Sequence, residues 1–211
     1  MARAVELAWE STCAGSLGIG ATITDGDGAI VATGRNRLYE RDPGDDHLAG
    51  SALAHAEMNA LAKLRLGERS DALTVWTTLQ PCLQCSAAIR MSRIGCVQVL
   101  APDPLFRELH RMRDISPFIA RYWPVHARRD ADAVAAFALL LPTHTMIFWD
   151  WIHDGWPSAL PGIAALAEQL VATRELVDYA TAGRTVDEVL ASLWNRLDAC
   201  VDEIEALWAV S

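Results

Sequence analysis

The chain predicts an α/β fold, a three-layer α/β/α sandwich, continued by an all-helical C-terminal extension. Short runs rich in Val, Ile, Thr and Trp alternate with helical apolar spacing over the first 128 or so residues. A tight-turn signal, Asp25-Gly26-Asp27-Gly28, joins two of the runs as a hairpin. Beyond Asp130 the strand signals stop and long apolar helical patterns take over.

In order along the chain, Val5, Leu7, Ala8 and Trp9 set an amphipathic helix over residues 1–13. Leu17 to Thr24 and Ala29 to Gly34 are the hairpin strands. Asn36 to Gly50 is a polar loop around Asp42-Pro43-Gly44-Asp45-Asp46, long enough to border a site. His55 through Leu66 returns to helix, ended by Gly67, and Leu73 to Leu79 is a strand. Pro81 stands where a helix can open, because its missing N–H is one that a first turn leaves unpaired; that helix runs to about Arg93. Cys96 to Ala101 is a strand, Pro104 to Phe118 a helix and Tyr122 to Ala127 a strand, which completes a βαβαβ order after the hairpin. Helical patterns at 131–152, 159–181 and 185–208 form the extension. The expected organisation is therefore one domain over residues 1–129 and a helical extension over residues 130–211 packed on it.

The composition, 52% hydrophobic and 21% charged, is that of an ordinary globular protein. No apolar run approaches the roughly 18 residues that cross a bilayer, and the first residues lack a secretory pattern, so a cytoplasmic protein without membrane contact is expected. The formal charge of −9 is uneven, −2 over residues 1–119 and −7 over residues 120–211. An acidic tail and a single lysine, Lys63, count against a polyanionic partner, so a nucleic acid is not the expected ligand.

Five cysteines at uneven spacing do not make a disulfide framework. Cys13, Cys96 and Cys200 sit in apolar patterns and are expected in the core. Cys82 and Cys85 form a C-x-x-C pair at a helix start, where cysteines three apart share one face and unpaired N–H groups favour thiolate. His55-Ala56-Glu57 opens the preceding helix in the same way. One His and two Cys supply three ligands to zinc and leave the fourth position of a catalytic site for water. Glu57 can stand beside the metal without binding it and move protons. A structural site would be closed by a fourth ligand, and a thiol redox role leaves His55 and Glu57 unexplained.

Ala54-His55-Ala56-Glu57-Met58-Asn59-Ala60-Leu61, Thr78-Leu79-Gln80-Pro81-Cys82-Leu83-Gln84-Cys85 and Met91-Ser92-Arg93-Ile94-Gly95 resemble the cytidine deaminase superfamily, most closely its guanine deaminase and tRNA adenosine deaminase branch. The resemblance covers about residues 1–128. It implies Zn2+ as cofactor, His55, Cys82 and Cys85 as metal ligands, Glu57 as the catalytic proton shuttle, and hydrolytic loss of ammonia from a base. It also implies substrate contact by Asn36, in Gly34-Arg35-Asn36-Arg37, and by Asp103, in Ala101-Pro102-Asp103, and association as a homodimer. The loop at 37–53 is longer than in many relatives, and the extension does not resemble the short C-terminal helices of the tRNA enzymes.

The expected substrate is a small nucleobase or nucleoside, with a purine such as guanine or adenine slightly favoured. The competing readings are a tRNA adenosine deaminase, a cytosine or cytidine deaminase, a nucleotide deaminase needing an Arg clamp that the sequence does not place near the motif, and a non-catalytic zinc domain that binds partners. His47 lies in the loop that would rim the pocket. His110, His126, His144 and His153 show no ligand spacing. Tryptophans gather late in the chain, among them Trp123, Trp149, Trp151 and Trp156, and are expected to pack the seam rather than stack on a base.

Overall fold

The computed structural model describes residues 1–42, 48–65, 70–153 and 155–209. Glycines set how closely its first layers approach. Helix α1 (Ala2–Cys13) buries Val5, Leu7, Ala8 and Trp9 against strand β1 (Gly20–Thr24). A Cβ on Gly20 would overlap the Ala4 carbonyl oxygen and the Ala8 nitrogen, so the helix seats there because that position carries no side chain. Strand β2 (Ile30–Arg35) pairs antiparallel with β1, and Gly34 allows the same approach to helix α2 (Ala56–Leu61) from the other face.

Strand β3 (Thr74–Leu79) pairs antiparallel with β1, while β4 (Cys96–Ala101) and β5 (Val125–Arg128) add in parallel, giving a mixed sheet in the order β2-β1-β3-β4-β5. Helix α2 packs against α3 (Leu83–Met91) on one face. The other face takes α1 and α5 (Ala133–Phe148). The expected three-layer α/β/α sandwich is the fold observed.

Helix α5 is apolar on every side and buries all but three of its sixteen residues. It lies between strands β3 and β4 and the helices α7 (Pro161–Thr173) and α9 (Val186–Asp198). Phe137, Leu139, Leu140 and Leu141 are wholly inaccessible, each worth about 1.5–3 kcal/mol of burial. Helices α6 (Gly155–Ala159), α8 (Glu175–Thr181) and α10 (Val201–Ala209) complete the helical C-terminal part, and a single apolar cluster runs from Val5 through to Trp208. No helix of the described residues is long and apolar enough to cross a membrane.

Several elements differ from expectation. The helix expected over Pro104–Phe118 is a series of turns, a 3-10 helix at Leu109–Ile115 and a short helix α4 (Pro117–Ala120). Asp103 captures the Leu105 N–H with its carboxylate and the Phe106 N–H with its carbonyl, which holds the chain in three-residue turns; Ser116 then caps a fresh start before Pro117. The helix after His55 stops at Leu61 because the next N–H groups bond three residues back, Lys63 to Ala60 and Leu64 to Leu61. Its expected end at Gly67, like His47 and most of the turn at Asp42–Asp46, lies outside the described residues.

Pro81 lies two positions before the first helical residue, Leu83, rather than at it, since Cys82 is the N-cap of α3. Strand β1 begins at Gly20 rather than Leu17, and β5 begins at Val125 rather than Tyr122. The pattern at 159–181 is broken at Arg174, whose φ of 61° ends α7. Cys13 is exposed and Cys96 half-buried, while Cys200 is buried as expected. The last turn of α1 carries Cys13 off the edge of the core.

Candidate functional site

His55 and Cys82 occupy equivalent places, each the extended N-cap residue of a helix on the same face of the sheet. An N-cap side chain ordinarily accepts a bond from its own first turn, and neither of these does. Both instead turn toward the space between the helix starts, where Cys85, two residues inside α3 and fully buried, joins them. His55 Nδ1 lies 3.5 Å from Cys82 Sγ and 3.6 Å from Cys85 Sγ. Tetrahedral zinc with Zn–S of about 2.3 Å and Zn–N of about 2.0 Å sets its nitrogen and sulfur donors about 3.5 Å apart. The donor set therefore fits Zn2+ in chemistry and in spacing.

The neighbouring Cys85 and His55 side chains bring the Cys82 thiol down to about 4, while Cys82, burial and Glu57 push Cys85 well above its ordinary value. Contact with Cys82 raises the His55 pKa.

Glu57, the second residue of α2, is 4% exposed, and burial raises its pKa. Its Oε2 accepts from Cys85 Sγ at 3.3 Å. Its Oε1 lies 3.0 Å from Thr77 Oγ1, which is also 3.0 Å from the Leu79 carbonyl. The single hydroxyl proton serves the carboxylate when Glu57 is charged. It serves the Leu79 carbonyl when Glu57 carries its own proton and donates. Thr77 thus keeps the carboxyl oriented in both protonation states.

His55, Glu57 and Cys82 open onto a cavity of about 210 Å³ whose walls are mostly apolar: Leu17, Ile19, Leu38, Leu79, Leu105 and Phe106. The extension supplies the remaining wall with Pro142 and Met146 of α5 and with Trp151 and Trp156 beyond it. Tyr39, from the loop after β2, lies 5.7 Å ring to ring from Trp149, so the two segments meet. Trp156 is buried and donates from Nε1 to Thr143 at 2.8 Å. The tryptophans at 151 and 156 thus pack the seam and face the pocket at once, whereas Trp123 stacks on His126 and Trp149 lines a separate hollow by His144.

Two polar side chains complete the lining. Asp103, after β4, is buried, and loss of solvation lifts its pKa to about 7 against the opposing N–H bonds from Leu105 and Phe106. Gln80 is clamped, accepting the Asp103 N–H at 3.3 Å and donating to the Phe106 carbonyl at 3.1 Å.

Of the residues expected from sequence, His55, Glu57, Cys82, Cys85 and Asp103 come together. Asn36 does not reach the lining. It is wholly buried beside it, its Oδ1 accepting from Ser16 at 2.9 Å and from the Leu38 N–H at 3.0 Å, with Nδ2 unpartnered among the described residues. Thr77, Gln80, Pro142 and Met146 were not singled out from sequence, whereas Trp151 and Trp156 were, as packing for the seam. Thr77 and Gln80 carried a signal, since they flank the Thr78-Leu79 step leading to Pro81-Cys82; Pro142 and Met146 carried none beyond helical spacing.

A three-donor zinc site at two helix starts, with a carboxylate alongside and an α/β/α sandwich behind, defines the class of zinc-dependent deaminase folds. The model of the "Cytidine and deoxycytidylate deaminase zinc-binding region" matches residues 1–101, a little under half of the chain. The chain is 30% identical over 126 residues to the tRNA(Ile)-lysidine synthase of Deinococcus radiodurans, taking in 58% of this chain and 20% of that protein. It is 34% identical over 110 residues to a probable deoxycytidylate deaminase of Caenorhabditis elegans, taking in 46% of this chain and 54% of that one. The chain thus spans about a fifth and about half of these curated relatives. Among solved structures, NE0047 in complex with 2,6-diaminopurine is alike in fold, with a TM-score of 0.50 and 18% identity over 72% of this chain and 82% of that chain.

Proposed function

We propose that the protein is a zinc-dependent hydrolase that deaminates a small nucleobase or nucleoside. The observation that carries this reading is Glu57: a buried carboxyl, oriented by Thr77 and set against the zinc donors, facing an apolar pocket. Zinc held by His55, Cys82 and Cys85 supplies the Lewis acidity that activates water as a nucleophile at neutral pH. Glu57 takes a proton from the attacking water and passes protons to the ring nitrogen and the departing amine. Water adds at the amino-bearing carbon, the C–N bond breaks, ammonia leaves and the oxygen stays on the ring.

The cavity, about 210 Å³, is below the ~300–1,000 Å³ usual for drug-sized ligands and suits one heterocycle between apolar walls. No Lys or Arg lies among its described lining residues, and Glu57 and Asp103 oppose an anion there, which favours a base or nucleoside for the ring site. Within that class, the motif resemblance favours a purine. Asp103 and Gln80 are the polar groups placed to read the ring's edge, whereas Asn36, off the lining, holds the Leu38 N–H beside it. A homodimer belongs to the same reading, supported by Met91, Phe118 and Val125, each about two-thirds exposed; sedimentation equilibrium tests it.

Ammonia release from a panel of bases and nucleosides tests the reaction. Glu57→Gln should lower turnover by about 10²–10⁴-fold while metal analysis still finds one zinc per chain. A variant of undiminished activity would remove Glu57 from the chemistry.

A further inference from the structure

A second cavity, of about 440 Å³, lies across Gln80 from the ring pocket, and the chemistry of its walls is the reverse of that pocket's. Arg107, Arg128, His110 and His126 line it together with Trp208, and no Asp or Glu is among its described lining residues. The concentration of cations is local. Between residues 90 and 129 there are eight arginines against three acids, in a chain of net charge −9. Topology gathers the lining, with Arg107 from the turns after β4, His126 and Arg128 from β5, and Trp208 from α10.

His110 Nδ1 lies 3.3 Å from the Arg107 carbonyl, but other donors around the hollow are left wanting an acceptor. Trp208 is 8% exposed, and its Nε1–H, a donor only, has no partner among the described residues. Arg128 spends one N–H on the Trp208 carbonyl at 3.1 Å and keeps the rest of its guanidinium fork. Burial by the walls, with His110 nearby, lowers the His126 pKa, so His126 contributes a ring N–H rather than a charge. Packing alone does not explain two arginines, two imidazoles and a buried indole N–H around one hollow with no acid between them.

We infer that this cavity binds a phosphate group of a small molecule, with Arg107, Arg128 and the Trp208 indole N–H as its donors. Arginine forks and a desolvated N–H suit a tetrahedral oxyanion. Gln80 is shared by both cavities, and Phe106 of the ring pocket is followed directly by Arg107 of this one. The phosphate therefore belongs either to the molecule whose ring enters the zinc site or to a separate ligand bound alongside it. The assignment concerns binding and stands whether or not the zinc site deaminates.

Titration calorimetry on the zinc-loaded protein at fixed ionic strength tests it with inorganic phosphate, a purine nucleoside and its 5′-monophosphate. Phosphate should bind saturably, Arg107→Gln should weaken it about tenfold or more, Arg107→Lys should recover part of the loss, and Trp208→Phe should weaken it several-fold. Arg107 makes no side-chain bond among the described residues, so Arg107→Gln should keep its fold and zinc, as metal analysis and melting verify. A monophosphate that binds at least tenfold tighter than the nucleoside in the wild type, but no tighter in Arg107→Gln, assigns the phosphate to the ring's own ligand. Phosphate binding that leaves nucleoside affinity unchanged, with the monophosphate no better than the nucleoside, assigns it to a separate ligand. Absence of saturable phosphate binding at millimolar concentration, or binding untouched by Arg107→Gln, overturns the inference.

Discussion

Replacing Asp103 by Asn should stabilise the protein at neutral pH and hardly at all at low pH. In the fold this carboxyl is 5% exposed and its pKa is raised from 3.8 to about 7, with loss of solvation outweighing the bonds from Leu105 and Phe106. Between those two values the folded chain keeps a proton that the unfolded chain has released. Stability therefore falls as pH rises from about 4 to about 7 and stays low above it. A displacement of about three units at about 1.4 kcal/mol each gives an upper bound near 4 kcal/mol, and relaxation around the charge leaves about 2 kcal/mol. Asparagine keeps an oxygen for the Leu105 N–H and never ionises. Since about 1 kcal/mol moves the melting temperature of a chain this size by roughly 2–4 °C, the variant should melt about 4–8 °C above wild type at pH 7.5, and close to it at pH 4.5. Scanning calorimetry of both proteins across that range, freed of zinc by chelation so that the metal's own pH dependence does not enter, is the assay. A difference between them that does not change with pH would refute the placement of a buried, proton-holding carboxyl at the pocket.

Three further outcomes follow from the same geometry. Thr77→Val removes the hydroxyl that donates to the Glu57 carboxylate, so the Glu57 pKa rises and the acidic limb of the pH–rate profile should move to higher pH, with rate lost about tenfold; an unmoved limb would separate Thr77 from the proton shuttle. After chelation of zinc, alkylation at pH 6 should label Cys82, held near 4, well before the buried Cys85, and peptide mapping of the labelled chain reads the order directly. Gly34→Ala would drive a Cβ into the Ala56 carbonyl and the Ala60 nitrogen, backbone that cannot step aside. It should cost about 3 kcal/mol or more, seen as a melting point lower by roughly 6–12 °C and weakened zinc retention.

The zinc donors and Glu57 were legible in the sequence because their placement is local. Two ligands three apart at a helix start, and a His two residues before its acid, fix their own relative positions once the helices form. The strands were legible for the same reason, with Cys96–Ala101 expected and found to the residue. The segment 104–118 was not, because its fate turns on one side chain, Asp103, taking backbone N–H groups that helical spacing alone assigns elsewhere.

Sequence by itself thus determined the sandwich and the gathering of His55, Glu57, Cys82 and Cys85, all of which follow from periodicity and short-range spacing. Tertiary structure alone decided what surrounds them. Pro142, Met146, Trp151 and Trp156 come to the zinc pocket from more than fifty residues away, and Arg107, Arg128 and Trp208 meet in one hollow from three separate elements. Such meetings depend on how α5 and α10 settle against the sheet, a choice made by burial of apolar area, which is non-directional and leaves no fixed spacing in the chain to read.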